Sequence, residues 1–155
     1  MKLIFTKGAG KTDQMEVVRA GQPSELVACP KQGIIPHDMV HYAVEHTLGA
    51  RGFLTRVVAG EAAAFRMDSE TLSDAVERLV EVFQGDGWSG GTAPASELID
   101  LYRITCNARS SPMLAVDEAA IAAVRAVIAD LTSQWRAVAV GASFELGFAP
   151  DACAS

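Results

Sequence analysis

Eleven residues, PHDMVHYAVEH from position 36 to 46, carry all three histidines of this 155-residue chain and two acids, Asp38 and Glu45. Imidazoles and carboxylates are the side chains that hold transition metals and move protons near neutral pH. On a helix, at about 100° per residue, His41 falls roughly 40° and Glu45 roughly 80° from His37. Val40, Val44 and Leu48 share that side. His46 falls about 180° away and points elsewhere. Two histidines at i and i+4 project from successive turns and can bind one ion, and a carboxylate can complete or orient the set. His37, His41 and Glu45 are therefore the candidate metal ligands, with Asp38 as candidate general base. Zinc is the expected ion, since two imidazoles and a carboxylate leave positions open to water and substrate. The same set suits ferrous iron, the alternative.

The reach of Glu45 leaves two arrangements open. It lies about 12 Å beyond His37 along the axis, at about 1.5 Å per residue. In the first arrangement all three residues bind the ion and Asp38 takes the proton. In the second, Glu61, Glu70, Glu97 or Asp100 supplies the third ligand and Glu45 is the base. The first needs no partner from another element and is the preferred expectation.

The run His37-Asp38-Met39-Val40-His41 resembles the H-E-x-x-H helix of zinc metallohydrolases. Asp38 stands where that family has its glutamate base, one methylene shorter. His46 comes one position early for a third histidine ligand and lies on the wrong face. The resemblance implies metal-activated water attacking a small ester-like substrate, acyl or phosphoryl. More broadly, the chain resembles a class of small uncharacterised bacterial proteins. These carry a P-H-D-x-x-H-x-x-V-E segment after an N-terminal β-meander, then helices and a terminal strand after a Trp-Arg pair. The matching residues are Pro36, His37, Asp38, Met39, Val40, His41, Val44 and Glu45, with Trp135 and Arg136. This resemblance marks the segment and implies no activity.

Three functions follow: a zinc hydrolase, an iron oxygenase, and a non-enzymatic domain binding a partner through an apolar face. In the last, the histidines are core residues, Asp38 favours the helix dipole, and Glu45 pairs with Arg51 or is solvated. Other constellations are weaker. Cys29 can neighbour the histidines as a Cys–His pair or be a small buried hydrophobe. Arg103 can clamp an anion or snorkel to the surface. Ser110 and Ser111 lack the setting of a nucleophile elbow. GAGKT, at 8–12, has Phe5 where a phosphate loop needs glycine, and reads as a hairpin turn.

The elements that must position the segment follow from periodicity and punctuation. Residues 2–6, 13–20 and 24–29 read as a three-stranded antiparallel meander broken by GAGK and GQP. Pro36 opens a helix that Gly49 closes. Residues 53–66 suggest a short helix broken at Gly60. Asp68 or Ser69 caps a helix carrying Leu72, Val76, Leu79 and Phe83, stopped by Gly85. A glycine-rich loop over 85–94 leads to a helix started by Pro94. Asp117 caps another, with Ile121, Val124, Ile128, Leu131 and Trp135 on one face. Residues 143–148 form a last strand that returns to the sheet. The expected fold is α+β: one domain over 1–150, its antiparallel sheet covered by about four helices, and a frayed tail over 151–155.

Composition narrows the setting. Thirteen basic against nineteen acidic residues give a formal net charge of −6. This charge repels phosphate backbones and argues against a nucleic-acid partner. The N-terminal apolar run is too short for a signal peptide, and no stretch approaches a membrane span. The three cysteines form no CxxC pair and read as free thiols of a reducing cytoplasm. The apolar excess, half of all residues, is compatible with a homodimer.

Overall fold

A computed structural model describes residues 1–64 and 67–149. Three strands, β1 (Lys2–Thr6), β2 (Thr12–Val18) and β3 (Glu25–Pro30), precede five helices. These are α1 (His37–Leu48), α2 (Phe53–Val58), α3 (Thr71–Trp88), α4 (Ala95–Ala108) and α5 (Glu118–Arg136). A last strand, β4 (Ser143–Gly147), follows. The sheet is antiparallel with order β3-β2-β1-β4, so the final strand does return and pairs with β1. The fold is α+β, with five helices where about four were expected. The expected tail, 151–155, lies outside the described residues.

Alternation along the strands gives the sheet one covered face. Leu3, Phe5, Met15 and Val17 are fully buried, whereas Lys2, Gln14 and Leu26 face outward. The inner residues share one core with Met39, Val40, Ala43 and Val44 of α1 and with Trp135 of α5. Phe5 meets Trp135 edge-on, ring centroids 6.4 Å apart, a favoured aromatic geometry. The GAGK segment is a hairpin turn between β1 and β2. A Cβ on Gly8 would stand 2.0 Å from the Thr12 carbonyl oxygen, so only glycine fits that turn.

Helix α1 is the central helix, packed against α2, α3 and α5. Pro36 occupies its N-cap and Gly49 closes it at φ 61°, the left-handed conformation glycine adopts without a Cβ penalty. Asp117 caps α5 as expected, accepting from the Ala120 amide at 2.8 Å. At the start of α3 the cap is Glu70, without a side-chain capping bond, rather than Asp68 or Ser69.

The end of α3 also differs from expectation. The helix runs through Gly85 and Gly87 to Trp88. Helical glycines cost about 1 kcal/mol each, but long-range contacts hold this turn. Asp86 is buried and accepts two bonds from the Arg125 guanidinium, at 2.7 and 3.0 Å. Trp88 Nε1 donates to the Gln32 carbonyl at 2.7 Å. The glycine-rich loop therefore begins only at Ser89.

A candidate metal centre on α1 and α3

Helices α1 and α3 lie side by side and antiparallel. The Glu45 end of α1 meets Val76, while Gln32, just before α1, bonds Gln84. This packing brings Glu77 of α3 to the two imidazoles. His37 Nε2 and His41 Nε2 are 3.1 Å apart. Glu77 Oε1 lies 3.3 Å from the first, and Glu77 Oε2 lies 2.7 Å from the second. Three electron-pair donors thus converge on one point, all within 4.8 Å of one another. Ligand atoms bound tetrahedrally at about 2.0–2.1 Å stand roughly 3.3 Å apart, so the group can hold a metal ion with little movement.

The two histidines differ in surroundings. The His41 side chain is 2% exposed, whereas His37 and Glu77 are 39% and 34% exposed. An ion held here would touch solvent on the His37–Glu77 side and be backed by protein on the other. Burial alone would depress the His41 imidazole, but hydrogen bonds to Glu45 and Glu77 outweigh it and push its pKa up to about 10. Burial likewise disfavours the Glu77 carboxylate, yet His37 and His41 hold it well below the usual range. The two shifts share a cause, the contact between the imidazoles and the Glu77 carboxylate, to which Glu45 adds at His41.

Glu45 is not part of the converging group. Its Oε2 accepts from His41 Nδ1 at 3.0 Å and from the Leu54 amide at 3.1 Å. Its Oε1 accepts from the amides of Gly52 and Thr55 and from the Thr55 hydroxyl, at 2.9–3.1 Å. The glutamate therefore lies behind His41, against the ring nitrogen that faces away from Glu77. The expectation that it joins both histidines around one ion differs from this geometry. At eight residues' separation from His37 it is too far along the helix, and Gly52 with the first turn of α2 encloses it.

Asp38, the expected base, is also elsewhere. It is buried with its carboxylate 3.5 Å from the Cys29 thiol. Burial first, and then Asp38, push that thiol up, well above the ordinary cysteine range. Cys29 thus behaves as a small core residue rather than as a partner of histidine. His46 points away as expected, stacked on Tyr42 at 5.0 Å.

The four acids weighed as outside ligands have other roles. Glu61 pairs with Arg56, Glu70 with Arg51 and Asp100 with Arg103, while Glu97 sits exposed in the first turn of α4. Sequence reasoning missed Glu77. The available signal was its place about 100° from Val76 on the helical wheel, an acid at the margin of the apolar stripe of α3. Among the described residues, no helix is long and apolar enough to cross a membrane. No protein-family model matches the chain, and neither a curated protein nor a solved structure matches it.

Proposed function

We propose that the protein is a small metal-dependent hydrolase, charged with zinc, acting on an ester-like acyl or phosphoryl substrate. The observation that carries this reading is the convergence of His37 Nε2, His41 Nε2 and the Glu77 carboxylate on one partly open point. Bound zinc would supply a water ionising near neutrality and a Lewis acid for the substrate oxygen. The chain supplies the rest. His41 gives a rigid, buried anchor. His37 and Glu77, both partly exposed, would hold the ion from the solvent side. Asp38 has no part, because its carboxylate faces Cys29. Where the bound water ionises near neutrality, no separate carboxylate base is required. The buried free thiols Cys29 and Cys106 suit a reducing, cytoplasmic setting.

Two imidazoles and one carboxylate also fit ferrous iron, and metal content separates the two readings. Purified protein is assayed for metal, then reconstituted with zinc and offered p-nitrophenyl acetate and bis(p-nitrophenyl) phosphate. The expected result is one zinc per chain and hydrolysis that His41→Ala and Glu77→Gln lose. Stoichiometric iron instead of zinc, or equal turnover by wild type and His41→Ala, overturns the proposal.

A further inference from the structure

We infer that Glu45 is a positioning residue of the metal site: it fixes which nitrogen of His41 faces the ion, and Gly52 is the residue that lets it do so. The inference rests on the metal reading above and adds a residue that does not touch the ion. Four donors from Gly52, Leu54 and Thr55 surround the Glu45 carboxylate, and the fifth neighbour is His41 Nδ1. An oxygen so placed accepts and cannot donate, so Nδ1 must carry the hydrogen. A neutral imidazole has only one N–H. When a metal ion displaces the second proton of His41, the ring keeps its one hydrogen on Nδ1 and offers its lone pair at Nε2, the atom that faces His37 and Glu77. Burial and the Phe53 ring, 5.8 Å away, keep the imidazole from turning over.

The enclosure depends on close approach of the chain. A Cβ at Gly52 would stand 2.7 Å from Glu45 Cδ and 2.7 Å from Val76 Cγ1. Neither neighbour can retreat, since the carboxylate is held by its donors and Val76 is fully buried. Gly52 is needed for space rather than for backbone conformation, because its φ of −131° is open to any residue. With glycine there, the amides after α1 fold over the carboxylate.

The test uses the full chain and zinc alone. Zinc affinity is measured by chelator competition for wild type, Glu45→Gln, Thr55→Val and His41→Ala. The tautomer of His41 in the zinc-loaded wild type is read from ring-nitrogen NMR. In Glu45→Gln the amide oxygen stays with Gly52 and Thr55, so the amide NH₂ faces His41 Nδ1 and drives the ring hydrogen to Nε2. The expected loss is about 10–100-fold in zinc affinity. Thr55→Val removes one of the four donors that hold the Glu45 carboxylate but leaves the acceptor facing His41 Nδ1, so it lowers thermal stability and weakens zinc binding far less than Glu45→Gln does. A purely structural Glu45 would not show this split. Wild-type affinity in folded Glu45→Gln, or His41 ligating through Nδ1, overturns the inference. The second readout needs no variant, so it decides even if Glu45→Gln fails to fold. Loss of zinc by His41→Ala beside an unaffected Glu45→Gln overturns only the role of Glu45. Retention of zinc by His41→Ala overturns the metal site itself.

Discussion

At His41, burial and two carboxylates oppose each other, and the carboxylates win. The imidazole is raised from 6.5 to about 10. Without metal, the charged pair of His41 with Glu45 and Glu77 contributes stability that is complete below about 6.5 and is lost as pH rises through about 10. Glu77 is shifted the other way, so its contribution is present above about 4.5 and lost as pH falls through its lowered folded value. Zinc bound at this cluster would have to displace the His41 proton, which reverses the sign for binding. Zinc affinity is expected to rise about tenfold per pH unit between about pH 6 and 8, with one proton released per ion. Calorimetry in buffers of different ionisation enthalpy measures this directly. A pH-independent affinity would mean that the ion binds away from His41. The histidine pair was legible in the sequence because i, i+4 spacing is local. The role of Glu45 was not, because four donors from Gly52 and the first turn of α2, which the wheel cannot show, decide it.

Among the helices, local punctuation set some boundaries and tertiary contacts set others. Pro36 and Gly49 bound α1, and the Asp117 side chain caps α5, through chemistry contained within one turn. Gly85 looked like a stop for the same kind of local reason. It is not one, because Asp86–Arg125 and Trp88–Gln32 tie the following turn to α5 and to the segment before α1. A Cβ at Gly85 meets no atom within 4 Å. Gly85→Ala therefore has helix propensity to gain and no clash to offset it. It is expected to stabilise the protein by about 0.5–1 kcal/mol, raising Tm by about 1–4 °C. A scan that shows a lower Tm would contradict a helix continuous through position 85. Glu77 was hidden for a related reason. Its margin position is visible on α3 alone, but nothing local says that α3 lies antiparallel beside α1.

Across the whole molecule, the sheet and its helices serve to bury one end of a three-residue cluster and leave the other open. The strand pattern, including β4, was readable from alternation, and the return of β4 to the sheet was expected, whereas its pairing with β1 was not specified. The layer that α1 occupies between its neighbours was not readable, and it is this layer that makes His41 nearly inaccessible while His37 stays at the surface. The net charge of −6 favours the approach of cations over phosphates, in keeping with an ion as the first ligand. The most direct test is the anomalous signal from crystals of the zinc-loaded protein. The account predicts one ion per chain, bound at about 2.0–2.2 Å by His37 Nε2, His41 Nε2 and Glu77, with Glu45 touching only the far side of His41. An ion bound directly by Glu45, an ion elsewhere, or none between α1 and α3 would contradict it.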